Sequence, residues 1–294
     1  MADYCILYNP LAGGGRCFGE SKKLAGALGD GEVRLVNICE VGSYSDFFAS
    51  LAPDERVILC GGDGTLNRFV NDTDGVDISR DVYYFAAGSG NDFLRDVGSG
   101  EDGAPICINE YLRELPEVAV KGRTYRFING IGYGIDGYCC EVGDAQRAVS
   151  DKPVNYTAIA IKGLLFRYRP TNAVVTVDGV EHRYKHVWLA PTMNGRFYGG
   201  GMIPTPAQDR RNAEGLVSTM VYYGAGKLRA LMVFPSIFKG EHVKHADMVE
   251  ILTGHDVSVR FDAPTALQID GETITGVTEY SVRSHVHAGA ELKV

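Results

Sequence analysis

Short apolar runs alternate with amphipathic stretches through the first third of the chain, the signature of a layered α/β structure. Tyr4-Cys5-Ile6-Leu7-Tyr8 predicts a buried first strand that ends in Asn9-Pro10-Leu11-Ala12-Gly13-Gly14-Gly15. A helical pattern follows over about 18–28, then a strand over 33–38 and a second helix over 45–51. Arg56-Val57-Ile58-Leu59-Cys60 predicts a third strand running into Gly61-Gly62-Asp63-Gly64-Thr65-Leu66-Asn67. Val82-Tyr83-Tyr84-Phe85-Ala86 predicts a fourth, running into Gly88-Ser89-Gly90-Asn91-Asp92-Phe93. Three strands therefore end in glycine-bearing turns. In open parallel sheets the carboxyl ends of the strands form the ligand crevice, so the three loops are expected on one rim.

From about Lys121 the texture changes to β-rich segments such as Val174-Val175-Thr176-Val177, His186-Val187-Trp188-Leu189, Leu216–Val221 and Val257–Phe261. The pattern predicts a second, mostly β domain, with domains over 1–121 and 122–294. Two helical inserts are expected near 155–167 and 227–238. No internal repeat or low-complexity linker interrupts the chain.

Composition narrows the function classes. Apolar residues make up 45% and charged residues 22%, which is ordinary for a folded protein. The net charge of −8 gives no global attraction to nucleic acid or to anionic lipid, so a membrane contact would need a local patch. The seven cysteines include no C-x-x-C, and the amino end has no charged region before an apolar one. A reduced cytoplasmic protein is the expectation. No run approaches the roughly 18 apolar residues of a spanning helix, so the chain is not expected to cross a membrane.

The glycine loops carry the candidate chemistry. Glycines after a buried strand let backbone N–H groups approach phosphate oxygens, and the following helix start adds a favourable dipole. Ser89 offers a hydroxyl to a phosphate. Asp92 either orients a metal-bound water or caps its helix, and both readings stay open. Far along the chain, Asp270-Gly271-Glu272 places two carboxylates at i and i+2. They share a face if the segment is a strand, whereas a hairpin turn is the plainer reading. His242 and His245 form an H-x-x-H without a neighbouring acid to complete a zinc set, which favours a structural role. The stretch 156–169 joins an apolar run to cations. It fits a helix covering a sheet better than one dipping into a bilayer interface.

Taken together, these pieces resemble the bacterial diacylglycerol kinase and lipid kinase family. The match includes Asn9 to Gly13, Gly61 to Asn67 and Gly88 to Phe93, followed by Asn194-Gly195-Arg196-Phe197-Tyr198-Gly199-Gly200. It continues through Glu214-Gly215-Leu216, Gly240-Glu241-His242-Val243-Lys244-His245 and Asp270-Gly271-Glu272. The resemblance implies ATP contacts from Asn9, Pro10, Leu11, Ala12 and Gly13, and from Gly61, Gly62, Asp63, Gly64, Thr65, Leu66 and Asn67. It extends them to Ser89, Asn91 and Asp92, with Cys39 at the adenine side. It implies Glu272 as general base, Asp270 in support, and Asp63 linked through water to Mg²⁺. A Mg²⁺ would be held by the Glu214 carboxylate and the main-chain oxygens of Arg211 and Leu216.

The family likeness implies a Rossmann-like three-layer α/β domain followed by a sandwich-like β domain, with the active site in the cleft between them. It further implies that the last twenty or so residues pack back on the first domain. ATP and Mg²⁺ are the implied cofactors, and a membrane lipid reached by peripheral contact at the inner membrane surface is the implied substrate. Diacylglycerol leads, with sphingoid, ceramide-like or polyprenol alcohols as alternatives. A related NAD kinase and a nucleotide-binding regulator without catalysis are the rival readings. No nucleic-acid partner is implied, and a homodimer stays open.

Overall fold

In the computed structural model, which describes residues 3–29, 31–88, 90–100, 103–150 and 154–284, the chain divides into two compact units, Met1–Arg113 and Glu114–Val294. The first holds a five-stranded sheet made of β1 (Tyr4–Tyr8), β2 (Val33–Asn37), β3 (Arg56–Gly61), β4 (Val82–Ala86) and β5 (Ile106–Cys107). The order is β2-β1-β3-β4-β5, with β1 to β4 parallel and the short β5 antiparallel at the edge. Parallel neighbours require crossover connections. Here these contain α1 (Cys17–Ala27), α2 (Tyr44–Ala49) and α3 (Asp63–Asp72); α4 (Asp92–Val97) then leads from β4 to β5, which α5 (Asn109–Leu112) follows.

The strands read as unbroken apolar runs because both faces of the sheet are covered. Ile6 and Ile58 pack with Cys17 and Leu24 of α1. Leu7 and Leu59, which point the other way, are equally inaccessible. Aromatic edge contacts from Tyr44 and Phe48 to Phe69 tie α2 to α3. The predicted strands and helices of this unit fall within about two residues of the observed ones.

The second unit contains β6 (Glu117–Val120), β7 (Arg123–Arg126), β8 (Gly130–Tyr133), α6 (Ile135–Arg147), α7 (Tyr156–Lys162), β9 (Thr171–Val177) and β10 (Val180–Val187). It continues through β11 (Thr192–Met193), β12 (Val217–Tyr222), α8 (Lys227–Val233), β13 (Val249–Gly254), β14 (Asp256–Ile269) and β15 (Glu272–Arg283). Ten strands form one sheet along the path β13-β12-β11-β8-β14-β15-β6-β7, with β9 joining β14 to β10. The hairpin β6–β7 pairs with β15 through Ala119 and Ser281. The division between the units therefore comes earlier than the change of texture at residue 121. Of the last twenty residues, those up to Arg283 belong to β15 and pair inside this sheet; residues 285–294 lie outside the described set.

One core, around Phe127, Tyr133, Phe261 and Tyr280, fills the inside of the folded sheet. A second packs α6, α7 and α8 onto β-strand residues such as Met220 and Tyr222, and centres on Trp188. The indole N–H of Trp188 donates to the Ala225 carbonyl at 2.8 Å. The two expected inserts appear as α7 with a π-helical turn (Gly163–Arg167), and α8 with a 3-10 turn (Phe234–Lys239).

α6 is the longest helix of this unit, and the sequence pattern did not predict it. Gly137 and Gly143 lie inside it, and glycine is a poor helix former. In the structure they are points of close approach. A Cβ on Gly137 would stand 1.9 Å from the Ala266 carbonyl oxygen, and one on Gly143 2.7 Å from the Tyr156 ring.

His242 sits in a 3-10 turn, fully buried, with its Nε2–H donating to the Pro204 carbonyl at 2.8 Å. Burial holds its pKa below the ordinary 6.5. Its contribution to stability is therefore complete above pH 6.5 and is lost as pH falls through the depressed value. We expect the thermal midpoint of the protein to drop on acidification below pH 6.5, and His242→Gln to drop less steeply over the same window. Parallel melting curves of the two proteins across that range would remove His242 from this role.

Candidate active site

The first unit brings three loops together at the carboxyl ends of its parallel strands. Asn9, just past β1, donates from Nδ2 to the Thr65 hydroxyl of α3 at 2.8 Å, and its Oδ1 accepts the Leu11 N–H at 3.0 Å. Gly13 has φ +61°, and a Cβ there would lie 2.4 Å from the Ala87 carbonyl oxygen just past β4. A Cβ on Gly88 would lie 2.5 Å from the Cα of Gly62. Only glycine permits these approaches. The three turns therefore touch, at the rim the sequence pattern predicted. Leu11 stands out from them, 79% exposed, while Leu66 is a core side chain and Thr65 and Asn67 are buried. Pro10 and Ala12 lie in the first of these turns, and Gly64 is the second residue of α3.

Asp63 fastens two of these loops. Its carboxylate accepts the backbone N–H groups of Asp92 and Phe93, both at 2.9 Å, and so closes the open amino end of α4. The cap of α4 thus comes from the neighbouring strand's loop. Asp92 does not provide it. Asp92 is the first helical residue, buried, with its carboxylate 3.8 Å from the Arg95 guanidinium. Asn91 adopts a left-handed conformation at φ 53°, and its Oδ1 accepts the Gly88 N–H at 3.1 Å. Ser89 lies outside the described residues. Cys39 is exposed in the 3-10 turn that follows β2, also at a strand's carboxyl end. Arg68 pairs with Asp72 at 3.2 Å on the solvent side of α3, away from the loops' mutual contacts.

Backbone amides at the start of α3, together with the positive-φ run Gly13-Gly14-Gly15, suit an anion with several oxygens. Beneath the rim, the Cys17 and Cys60 sulfurs lie 3.4 Å apart. Their contact and burial push the Cys60 thiol well above its ordinary range. This pair is packing chemistry at neutral pH.

In the second unit the motif residues gather on one short segment, Ile128-Asn129-Gly130. The Asp270 carboxylate accepts all three of its backbone N–H groups, at 2.6, 2.9 and 2.9 Å. Asn194 and Arg210 both donate to the Ile128 carbonyl at 3.0 Å, and Arg210 also reaches the Asn129 side chain at 3.1 Å. Asn129 and Arg210 were not singled out by sequence reasoning. In these bonds their partners lie 81 to 141 positions away, and no local pattern marks such pairs.

Asp270 and Glu272 do not share a strand face. Asp270 and Gly271 form the two-residue turn between β14 and β15, with φ of 46° and 99°, and Ile269 pairs with Glu272 across it. Positive φ at both central residues is what a type I′ hairpin needs, and Asp-Gly supplies it. Gln268 braces the turn by accepting the Gly271 N–H at 2.6 Å while donating to Asp136 of α6 at 2.9 Å. Asp270 thus positions the turn, and Glu272 emerges from it exposed to solvent.

The residues implied as a Mg²⁺ set fit one poorly. The Leu216 carbonyl already accepts side-chain N–H groups from Gln208 and Asn212, both at 2.9 Å, which fills both of its lone-pair positions. Glu214 is exposed and Arg211 N–H is held by Asp209. Among the described residues no three His, Cys, Asp or Glu side chains gather as a metal site. Mg²⁺ demands a near-octahedral shell of oxygens, and of the implied set the Leu216 carbonyl is already committed to Gln208 and Asn212.

Asp63→Asn should weaken the rim directly, since an amide replaces one carboxylate acceptor with a donor facing an N–H. Hydrogen bonds to charged groups contribute about 1.5–3 kcal/mol each. We expect a loss of about 2 kcal/mol in urea unfolding with an unchanged slope. An unchanged midpoint would contradict the fastening role.

Comparison with known proteins places this geometry. Residues 3–120 match the diacylglycerol kinase catalytic domain family, and residues 129–289 match the YegS C-terminal NAD kinase beta sandwich-like domain family. A diacylglycerol kinase of Mycobacterium tuberculosis is 28% identical over 273 residues, covering 88% of this chain and 84% of its own. A diacylglycerol kinase of Bacillus subtilis is 24% identical over 231 residues, covering 76% and 73%. The fold is shared with a crystal structure of a diacylglycerol kinase from Bacillus anthracis at TM-score 0.58 and 17% identity, over 98% of this chain and 97% of that one. With its α/β unit and its sandwich-like unit each matching the corresponding family domain, the chain belongs to the bacterial diacylglycerol kinase and lipid kinase family and is an ATP-dependent kinase of it.

Proposed function

We propose that the protein transfers the γ-phosphoryl group of ATP to the free hydroxyl of diacylglycerol, giving phosphatidic acid and ADP. The observation that carries this reading is the meeting of three glycine turns at one rim, locked by Asp63 across the starts of α3 and α4. Asn9 to Gly13, Cys39, Gly61 to Asn67, Ser89, Asn91 and Asp92 are the proposed ATP neighbourhood, in a Rossmann-like domain. A Mg²⁺ ion bound with ATP would supply charge neutralisation on the phosphates. Lys and Arg are absent from the three turns themselves, so backbone dipoles and that metal supply the positive potential.

Phosphoryl transfer is largely a matter of positioning, and it needs a group to take the proton of the attacking hydroxyl. Glu272 is the proposed base. It stands at the first position of β15, where the Asp270 and Gln268 hydrogen bonds fix the turn that precedes it. As the hydroxyl oxygen bonds to the γ-phosphorus, the bond to ADP breaks and the proton passes to Glu272. The lipid comes from a bilayer, and the protein works at the inner membrane surface. Among the described residues no helix is long and apolar enough to cross a membrane.

A positioned base contributes about 10²–10⁴-fold. Glu272→Gln should lower turnover by about that factor while ATP affinity stays within about twofold; full activity would remove Glu272 from the mechanism. Radiolabelled ATP offered with diacylglycerol, sphingoid, ceramide-like and polyprenol alcohols and NAD should label diacylglycerol best. Label on NAD alone would overturn the lipid reading.

A further inference from the structure

Two helical segments of the second unit differ from the rest of the chain in charge and exposure. Residues 154–170 and 224–240 carry Lys162, Arg167, Arg169, Lys227, Arg229 and Lys239, and neither segment contains an Asp or Glu. The chain as a whole has a net charge of −8. The same two segments hold the large apolar side chains Phe166, Leu228 and Met232 at 74%, 72% and 73% exposure. Leu228 and Met232 stand one turn apart on α8 and so share a face.

The segments adjoin. The Lys227 ammonium donates to the Leu165 carbonyl at 3.1 Å, which sets the start of α8 against the π-helical turn that presents Phe166. Arg229 is paired with Asp247 at 2.6 Å, an acid from outside both segments, and adds little net charge. Lys162, Phe166 and Arg167 also line a cavity of about 630 Å³ between α6 and α7. The apolar face is therefore open beside its cations.

We propose that this face docks on a bilayer that displays anionic headgroups. The proposal rests on the lipid-kinase reading only for its purpose, since a bilayer-held substrate requires the enzyme to reach it. The physical case is independent of that reading. A protein partner would need an apolar surface ringed by acids. A bilayer offers both halves at once: the acyl boundary takes Phe166, Leu228 and Met232, and lysine and arginine stems reach up to lipid phosphates. The chain's net charge of −8 gives no overall attraction to such a surface, so the patch would set the orientation of approach.

Co-sedimentation of the full chain with vesicles tests this. The protein should bind vesicles of equimolar phosphatidylcholine and phosphatidylglycerol and release as salt is raised, with weaker binding to phosphatidylcholine alone. The triple variant F166S/L228S/M232S should lose at least tenfold in partitioning at an unchanged melting temperature. It should still phosphorylate a short-chain diacylglycerol dissolved in water. K162Q/R167Q should lose the preference for the anionic vesicles. Val180→Ser, which removes an exposed apolar side chain on β10, should change nothing. If the triple variant fails to fold, the L228S/M232S pair alone should lose at least threefold. Absence of wild-type binding, or equal binding by the variants, overturns the proposal. A wild type that binds vesicles yet phosphorylates no soluble lipid leaves docking intact and defeats the kinase reading instead.

Discussion

The Asp63 carboxylate joins two loops that the parallel sheet alone would leave side by side but independent. The first N–H groups of any helix lack partners within it, and α4 is only one and a half turns long, so its amino end dominates its stability. Asp63 accepts two of those N–H groups from the start of α3, where its own charge is also favoured by the helix dipole. One side chain therefore satisfies the start of one helix, sits favourably at the start of another, and fixes the distance between two turns. Gly62 and Gly88 allow that distance to be short, because a side chain on either would meet the other's backbone.

Asp270 repeats the device in the second unit. Three consecutive backbone N–H groups converge on it from the segment before β8, and Asn194 and Arg210 hold the Ile128 carbonyl of that segment. Segments far apart in sequence are thus registered to one another by groups that satisfy buried backbone. It follows that substituting either aspartate changes fold and chemistry together. Glu272, exposed and free of such duties in the described network, is the position at which the chemical contribution can be read most cleanly.

The strands of the first unit were legible because parallel strands buried on both faces leave unbroken apolar runs, and the turns after them because glycine clusters mark them. α6 was not legible: Gly137 and Gly143, which break a helix by propensity, are required by contact with Ala266 and Tyr156. The sequence leaves Asp92 open between capping α4 and orienting a metal-bound water, and the capping oxygen comes from Asp63, 29 positions earlier. For Asp270-Gly271-Glu272 the hairpin turn is the plainer reading of the sequence, and the Asp-Gly step does turn the chain and separate the two carboxylates. Leu216 looked available to a cation, but its carbonyl is filled by Gln208 and Asn212. At α6 and α4 a contact between segments distant in sequence decided the outcome, and no local pattern encodes one.

The charge distribution bears on how such an enzyme would behave during turnover. Diacylglycerol carries no charge, and its phosphorylation leaves an anionic headgroup in the same leaflet. At physiological ionic strength exposed charges interact over about 8 Å. Only cations pressed against the surface, such as Lys162 and Arg167, would then register the product, while the acidic remainder of the chain would be screened from it. Docking would strengthen as product accumulates around the enzyme and weaken where the leaflet has been depleted of anions. An apolar contact through Phe166, Leu228 and Met232 has no such dependence, since the transfer of apolar side chains is indifferent to headgroup charge. The two halves of the proposed patch would therefore divide the labour: the apolar half would set a constant affinity for bilayer, and the basic half would make residence follow the phosphorylation proposed above.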